Sequence, residues 1–249
     1  MPKFFVTNHN INNNEIKIMG KDVNHIKNVL RKKKGDKLII CNTDTSMDYL
    51  CEIAKLEEAE IKCHITEEIE TNSESNIQVT IFQGIPKADK MELIIQKAVE
   101  LGVYDITPVE MKRCVVKLTD KDKTKKLQRW QKIAEVAAKQ SGRNIIPKIN
   151  DVISIKNICN LCAEYDIVIV AYENEKESKL KYELEKLKEQ QTKNLKIAIL
   201  IGPEGGIDKT EIDLLKKENA RIVTLGNRIL RTETVALNVL SIIMYEFEV

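Results

Sequence analysis

The sequence has few aromatic residues and almost no excess of charge of either sign. Phenylalanine, tryptophan and tyrosine together make up 4% of its 249 residues, so few side chains offer a surface on which nucleobases stack. Forty lysines and arginines are balanced by 38 acids, which leaves a net charge of +2. Net charge therefore identifies no partner, and the distribution of charge along the chain must be examined instead.

Long hydrophobic runs and a secretion signal are also absent. No apolar stretch approaches the ~18 residues of a membrane-spanning helix, and Met1–Val6 lacks the basic-then-apolar order of a signal peptide. Cys159 and Cys162 form a C-x-x-C pair with no second ligand pair at zinc-site spacing, and the six cysteines lie mostly in apolar segments. We therefore predict a soluble, cytoplasmic protein with reduced core cysteines, no membrane association and no metal site.

A polar stretch, residues 71–76, separates two regions of different texture. Before it, apolar residues come in short runs that predict strands, at Phe4–Val6, Lys37–Cys41, Tyr49–Leu56 and Ile61–Thr66. One helix interrupts them, with Asp22 as its candidate N-cap and an end near Lys34. The sequence predicts a small β-rich domain of residues 1–71 followed by a larger domain of residues 72–249.

In the second region, strand-like and helix-like segments alternate, which predicts a parallel sheet covered by helices. The predicted strands are Ile77–Phe82, Asp105–Val109, Asp166–Ala171, Lys196–Ile201 and Arg221–Leu225. The predicted helices are Met91–Leu101, a long helix through Leu127–Ala137, Lys209–Asn219 behind a D-x-x-E cap at Asp208 and Glu211, and Thr232–Phe247.

Two further segments differ in the surface that they present. The helix Thr232–Phe247 is apolar almost all round, so we expect it to be buried on several sides, one of them against a partner subunit. The stretch Glu173–Asn194 is rich in glutamate and lysine, with only Leu180, Leu184 and Leu187 as an apolar line. That pattern predicts a solvated surface helix.

Two loops that follow predicted strands are candidates for a ligand site. Ile201–Ile207 (IGPEGGI) carries three glycines, and the second loop, Leu225–Thr234, leads into the apolar last helix. Neither the G-x-x-x-x-G-K-[ST] nor the G-x-G-x-x-G phosphate fingerprint occurs. Glycines beside Leu225, Ile229 and Leu230 suit a flat adenine held by backbone groups in an apolar slot. Two tight turns without a ligand would have the same composition.

The two loops closely resemble the signature of the bacterial RsmE family, in the segments Ile201–Ile207 and Leu225–Leu237 (LGNRILRTETVAL). Weaker matches to the same family are His25–Arg31 with Gly35-Asp36, Gln83–Glu92 (QGIPKADKME), Arg113, and Ala137–Arg143 with Pro147. The resemblance implies an enzyme that uses S-adenosylmethionine (SAM) to methylate N3 of a specific uridine in 16S ribosomal RNA, within the SPOUT class of methyltransferases.

The resemblance also implies the fold and the cofactor site. It implies an α/β protein with a trefoil-knotted parallel sheet, a small N-terminal PUA-like RNA-binding barrel, and an obligate homodimer. We expect SAM to be bound by Ala171, Leu200, Ile201, Gly202, Pro203, Glu204, Gly206, Leu225, Gly226, Asn227, Ile229, Leu230 and Thr234.

Two charged residues of the second loop are the candidates for catalysis. Uracil N3 carries a proton and becomes a good nucleophile only when that proton leaves, which places negative charge on the neighbouring carbonyl oxygens. Arg231 is the candidate cation that stabilises this charge. Glu233 is the candidate base, or else it orients Arg231 through a hydrogen bond; an acid in the first turn of a helix is also favoured without any catalytic role.

Basic residues cluster in two places. Residues 111–148 contain twelve lysines and arginines against three acids, and residues 27–37 form a smaller cluster. Such clusters are typical of surfaces that bind a phosphate backbone, although a solubilising face would have the same composition. The predicted RNA contacts are Arg31, Lys32, Lys87, Arg113, Lys125, Lys126, Arg129 and Arg143.

Two alternative functions compete with this interpretation. A related SPOUT enzyme would methylate a ribose 2′-OH or a guanine instead of uracil N3. A non-enzymatic RNA-binding ribosome assembly factor would use the glycine loops only as turns.

Overall fold

A computed structural model describes residues 3–70, 73–190 and 194–248 of the chain. The chain forms two compact units, Met1–Glu74 with Ala138–Ile146, and Ser75–Ala137 with Pro147–Val249. The predicted domain boundary, between residues 71 and 72, lies outside the described residues. No helix in the described ranges combines the length and the apolar character needed to cross a membrane.

The first unit is built on a six-stranded sheet in the order β1-β4-β5-β6-β3-β2. Strands β1 and β4 are parallel and the other neighbours antiparallel. The strands are β1 Lys3–Val6, β2 Ile11–Asn12, β3 Glu15–Met19, β4 Lys37–Asn42, β5 Met47–Leu56 and β6 Glu60–Ile69. A 3-10 turn at Asn8–Asn10 and a helix, α1 Lys21–Asn24 continued as a π-turn His25–Val29, complete the unit.

Strands β2 and β3 were not predicted from the sequence. The signal for β3 is a short period-two alternation, because Ile16 and Ile18 are buried while Lys17 and Met19 are exposed. The run of asparagines before it hides the pattern, since asparagine is typical of turns. Asn13 at the turn between β2 and β3 does adopt a positive φ of 51°.

The predicted first helix differs from the observed one at both ends. Gly20 is its N-cap, and Asp22 lies in the first turn, where its carboxylate accepts a hydrogen bond from Lys139 Nζ at 3.0 Å. The helix stops at Leu30 and not near Lys34, because Arg31 adopts a φ of 52° that ends the helical backbone. The helix packs through an apolar stripe at helical spacing, since Val23 and Ile26 are buried and Leu30 packs against the same core.

Residues 138–146, which follow the expected RNA-binding helix, pack within the first unit. Lys3 is buried, pairs with Asp48 at 2.6 Å and donates to Asn144 Oδ1 at 3.1 Å. Glu74 accepts from the guanidinium of Arg143 and, at 2.7 Å, from the backbone N–H of Asn144. These contacts join residues far apart in sequence, so no local pattern could have assigned the segment to this unit.

The second unit contains a parallel sheet in the order β10-β8-β7-β12-β11-β13, with β9 paired to β8. Its strands are β7 Gln78–Gly84, β8 Asp105–Glu110, β9 Lys148–Ile149, β10 Ile153–Ser154, β11 Ile167–Ala171, β12 Lys196–Ile201 and β13 Arg221–Val223. Its helices are α2 Lys90–Glu100, α3 Asp120–Ser141, whose last turn belongs to the first unit, α4 Ile155–Leu161, α5 Leu180–Glu189, α6 Lys209–Lys217 and α7 Thr232–Phe247.

The predicted α/β architecture with a parallel sheet is confirmed. Strand β12 lies between β7 and β11, and its residues Ile197, Ala198, Ile199 and Leu200 are fully buried. Side chains on successive residues point to opposite faces, so both faces of the sheet are covered. The Asp208–Glu211 capping box of α6 is present as predicted, and α5 buries Leu180, Leu184 and Leu187 on its inner face.

Candidate functional site: a cavity at the ends of three parallel strands

Three neighbouring strands end at the same edge of the sheet of the second unit. Strand β11 lies between β12 and β13, and the register pairs Ala171 with both Ile201 and Val223. Because these strands are parallel, the loops that follow them must emerge side by side. The two loops predicted from the sequence are therefore adjacent in space, together with a third loop, after β11, that begins at Tyr172.

These loops enclose a cavity of about 550 Å³. Eleven of the predicted cofactor residues line it: Ala171, Ile201, Gly202, Pro203, Glu204, Gly206, Leu225, Gly226, Asn227, Ile229 and Leu230. Arg231, the predicted catalytic cation, lines it as well. The volume falls within the range of sites that bind small molecules and cofactors.

Two predicted cofactor residues do not line the cavity. Leu200 is fully buried in the core beneath the loops, because it precedes the last residue of β12 and points away from the opening. Thr234 is exposed on α7, outside the face formed by Arg231 and Val235, which line the cavity one helical turn apart. Their contact with the cofactor stays a prediction. Whether a side chain lines a cavity depends on its direction within its element, which motif position alone does not give.

The cavity also has lining residues that were not among the predicted cofactor contacts: Lys90, Tyr172, Glu173, Gly205, Thr224, Arg228, Thr232 and Val235. The sequence does indicate Tyr172 and Glu173 as candidates for the site, because both directly follow the buried strand β11. Lys90 opens α2 and is far in sequence from both loops. It belongs to Gln83–Glu92, one of the weaker family matches, and only the fold shows that this segment reaches the cavity.

The glycines of the first loop are required by the packing of the loop itself. A Cβ on Gly202 would lie 2.8 Å from Cγ1 of Ile207. Gly206 has a φ of +70°, and its Cβ would lie 2.2 Å from Oε1 of Glu173. From the sequence we expect these glycines to suit a flat adenine held by backbone groups. The structure adds that neighbouring side chains already fill the space that a Cβ would need.

The second loop leaves most of its backbone donors without a protein partner. Within the described chain, the N–H of Gly226, which reaches Thr224 Oγ1 at 3.3 Å, is the one amide of residues 225–230 that donates a hydrogen bond to protein. The remaining N–H groups are next to the apolar side chains of Leu225, Ile229 and Leu230. A flat heterocycle with acceptor nitrogens fits such an edge.

One buried hydroxyl joins the segments that form the site. Thr232, the first residue of α7, donates through Oγ1 to the carbonyl of Gly202 at 2.7 Å. The same oxygen accepts a hydrogen bond from Nε2 of Gln83 at 2.9 Å. The start of α7 is thereby fixed to the first glycine loop and to the end of β7.

The two predicted catalytic residues have different environments. Arg231 is the exposed N-cap residue of α7, and no ion pair joins it to Glu233 within the described residues. The side chain of Glu233 is 15% exposed, and its Oε2 is 3.5 Å from Nζ of Lys90. The structure thus places Glu233 beside Lys90 and not in a pair with Arg231.

Lys90 and Glu204 form the stronger ion pair, with Nζ 2.8 Å from Oε1. The hydrogen bond to Glu204 raises the pKa of Lys90 above its usual value. Burial by itself raises the pKa of Glu204, but hydrogen bonds from Lys90 and from backbone N–H groups, that of Lys87 among them, outweigh it and lower the pKa on balance. Both groups are therefore charged at neutral pH.

The predicted RNA contacts of the second unit are mostly at its surface. Lys87, Lys125 and Arg129 are exposed, and Lys126 is half-buried with its ammonium 5.6 Å from the centroid of the Trp130 ring. Arg129 also pairs with Glu92 at 2.8 Å. These cations are available to a polyanion, since ion pairs at an exposed surface are weak.

Arg113 has a second set of partners besides solvent. Its Nη1 donates to the carbonyl of Gly205 at 3.3 Å, and its Nε is 3.6 Å from Asp208. Arg113 therefore supports the first glycine loop, and its side chain is also 44% exposed to solvent.

In the first unit, Arg31 is exposed and Lys32 half-buried, but Arg143 is buried. Its guanidinium pairs with Glu74, Nη2 to Oε2 at 2.5 Å and Nε to Oε2 at 3.2 Å. The prediction that Arg143 contacts RNA is at odds with this structure, because the side chain is turned inward to its carboxylate. Arg143 is one of the basic residues counted in the cluster of residues 111–148, but its charge is neutralised by Glu74 within the fold.

Comparison with known proteins identifies relatives of both units. Residues 73–244 match the RNA methyltransferase domain family, and residues 18–66 match the RNA methyltransferase PUA domain family. The ribosomal RNA small subunit methyltransferase E of Bacillus subtilis is 38% identical over 93% of this chain and 90% of its own length. That of Mesomycoplasma hyopneumoniae is 35% identical over 88% of this chain and 89% of its own.

A solved structure shows the same fold over nearly the whole chain. It is the ribosomal RNA small subunit methyltransferase E of Neisseria gonorrhoeae, bound to S-adenosyl methionine. It superposes with a TM-score of 0.83 at 29% identity, and the match covers 98% of this chain and 97% of that one. The parallel sheet of the second unit and the sheet of the first therefore occur together in a protein that holds SAM.

Proposed function

The chain belongs to the RsmE family of small-subunit ribosomal RNA methyltransferases and is a SAM-dependent enzyme that methylates ribosomal RNA, and from this premise we propose that its acceptor is N3 of a uridine in 16S RNA. The observation that carries the proposal is the cavity where β11, β12 and β13 end, because it is lined by both loops of the family signature.

The residues around the cavity fit SAM. Apolar Leu225, Ile229 and Leu230 and the unpaired backbone donors beside them suit the adenine. The carboxylates of Glu173 and Glu204, which also line the cavity, suit a cofactor that is cationic at its sulfonium and amino groups. When bound, SAM supplies a methyl group already activated for transfer, so the protein must align the acceptor and remove its proton.

We assign Arg231 and Glu233 distinct roles in that step. N3 gives up its proton to a carboxylate oxygen of Glu233, and its electron pair forms the bond to the methyl carbon while the electrons of the broken methyl bond stay on sulfur. Arg231 is exposed at the cavity, where its guanidinium meets the charge that develops on the uracil carbonyls. Glu233 contacts Lys90 and, among the described residues, makes no ion pair with Arg231, so its contacts give no support to a role in orienting Arg231.

The RNA is proposed to contact cations of both units. In the second unit these are Lys87, Arg113 and the basic face of α3, and in the first Arg31 and Lys32. The target base must be unpaired or flipped out for N3 to reach the cavity.

We further propose the homodimer, the trefoil knot, the division into domains of residues 1–71 and 72–249, and a cytoplasmic location, where ribosomal RNA is modified.

The dimer is supported by Tyr245 of α7, whose side chain is 78% exposed, and by Leu93 of α2, 43% exposed. Light scattering tests it, and we expect twice the 28.5 kDa mass of one chain. A mass of one chain at micromolar concentration would contradict the dimer.

Nucleoside mass spectrometry tests the acceptor. Small subunits that lack the modification are incubated with the enzyme and SAM, and their RNA is digested to nucleosides. We expect 3-methyluridine as the product. A 2′-O-methylated nucleoside or a methylguanosine would identify one of the related SPOUT activities instead, and no methylated product with SAM still bound would leave an RNA-binding protein.

A further inference from the structure

The segment Gln83–Lys90, which joins β7 to α2, contacts both glycine loops although neither loop motif includes it. Gln83 donates to Thr232 at the start of α7. A Cβ on Gly84 would lie 2.7 Å from Cδ of Pro203, so the two chains are in direct contact. The backbone N–H of Lys87 donates to the carboxylate of Glu204 at 3.1 Å. The segment is thus a third wall of the site.

Lys90 is the charged side chain of this segment that lines the cavity. Its Nζ lies 2.8 Å from Oε1 of Glu204, in the first loop, and 3.5 Å from Oε2 of Glu233, at the start of α7. The side chain is 30% exposed, so water screens it only in part. One ammonium therefore serves two carboxylates that come from different loops.

Glu233 is the less satisfied of the two carboxylates. Its Oε2 is buried and accepts no hydrogen bond from any residue that the structure describes. Lys90 is its ion-pair partner in that part of the chain, and Arg231 makes no ion pair with it. A buried carboxylate oxygen without a donor is costly, and it is a common feature of groups that change protonation during a reaction.

We propose that Lys90 is a positioning residue for methyl transfer, which holds the Glu233 carboxylate in place while it anchors the first loop through Glu204. This inference rests on the proposed role of Glu233 as the base. Before transfer, the ammonium compensates the charge of Glu233. When Glu233 takes the proton of N3 and becomes neutral, the ammonium keeps Glu204 as its counter-ion, so no unpaired charge is left in the site.

The two contacts of Lys90 make separable predictions. The contact with Glu204 fixes the cofactor loop and should affect SAM affinity. The contact with Glu233 should affect the rate of transfer at saturating SAM. A lysine that only fixed the loop would change affinity alone.

The test compares four variants by SAM calorimetry and by the single-turnover rate of RNA methylation. Lys90→Met should lower the rate about 100-fold, the scale of a misplaced general base, and weaken SAM binding. Lys90→Arg keeps the charge and should recover at least tenfold of the lost rate. Lys97→Met is the matched control, because Lys97 lies on the same helix and pairs with Glu100 outside the cavity; it should leave both quantities unchanged.

The decisive variant is Glu204→Gln, which removes the ion pair between the segment and the first loop but leaves Lys90 beside Glu233. We expect SAM affinity to fall as in Lys90→Met, while the rate at saturating SAM stays within about threefold of the wild type.

Two results would overturn the proposal. A rate in Glu204→Gln as low as that in Lys90→Met, both at saturating SAM, would mean that Lys90 acts only by fixing the loop. A wild-type rate in Lys90→Met would mean that Lys90 has no role. If Lys90→Met does not fold, Lys90→Gln takes its place with the same expectations. Failure of the proposed function is distinguishable, because the wild-type enzyme itself would then form no 3-methyluridine.

Discussion

At the residue scale, the proposed mechanism of methyl transfer depends most on Arg231. The guanidinium is exposed at the cavity and has no ion-pair partner among the described residues, so it is available to the substrate. We expect Arg231→Ala to lower the rate of methyl transfer by 100- to 1000-fold, the usual effect of removing a group that stabilises developing charge. SAM affinity, measured by calorimetry, should change less than fivefold. Transfer at near wild-type rate would exclude the proposed role, and a collapse of SAM binding alone would reassign Arg231 to the cofactor.

The Lys90–Glu204 pair sets a second prediction, on pH. The pKa of Glu204 is lowered from its usual 4.5. The ionised carboxylate therefore contributes fully to the ion pair above pH 4.5, and this contribution is lost as pH falls through the lowered pKa. The pKa of Lys90 is raised from its usual 10.5. The ammonium therefore contributes fully to the ion pair below pH 10.5, and this contribution is lost only as pH rises through the raised pKa. The pair is therefore intact at every pH between.

Calorimetric titration checks this prediction. SAM affinity should be constant within twofold between pH 5.5 and 7.0, while the rate of transfer is free to vary because N3 must lose its proton. A tenfold loss of affinity as pH falls across that range would contradict the assignment.

Arg143 gives a prediction of stability and not of RNA binding. Its guanidinium is buried against Glu74, whose carboxylate also accepts from the backbone of Asn144. We expect Glu74→Ala to reduce the free energy of unfolding by about 3 kcal/mol, because it removes the carboxylate that pairs with the buried guanidinium of Arg143 and accepts from the backbone of Asn144. Urea unfolding measures the change, and Lys148→Ala, an exposed lysine of the same basic region, is the control. Equal stability of the two variants would contradict the buried pair.

At the element scale, sequence periodicity predicted the second unit well. The bounds of β12 and α7 agree with the predicted Lys196–Ile201 and Thr232–Phe247, because buried parallel strands and long helices carry strong patterns. The short β2 and β3 were missed, since two to five residues beside an asparagine run give little periodicity. The early end of the first helix depends on the positive φ of Arg31, which no residue preference indicates.

Helix α3 carries the prediction on RNA binding. Lys125, Lys126 and Arg129 lie at or near its surface, so replacing all three with alanine removes up to three cations that a phosphate backbone can use. We expect weaker RNA binding and a slope of log affinity against log salt that is smaller by about two to three. The measurement is a filter-binding or anisotropy titration at several salt concentrations. An unchanged salt slope would show that the RNA lies elsewhere.

At the scale of the whole molecule, the site is assembled from contacts that the sequence does not contain. The two signature loops were recognisable, and eleven of thirteen expected cofactor residues line one cavity. Lys90, Gln83 and Glu173 reach that cavity from other strands and helices, and residues 138–146 pack within the first unit. Such assignments follow from tertiary packing, for which local spacing gives no signal.

Calorimetric titration with SAM measures whether the cavity formed by the two glycine loops is the SAM site. We expect one SAM per chain for the wild type. Gly202→Val should abolish binding, because a Cβ at that position would already lie 2.8 Å from Ile207 and would displace the first loop. Lys217→Val, at an exposed residue of α6 that does not line the cavity, should bind SAM normally. The absence of binding to the folded wild type, or normal binding to Gly202→Val, would contradict the account.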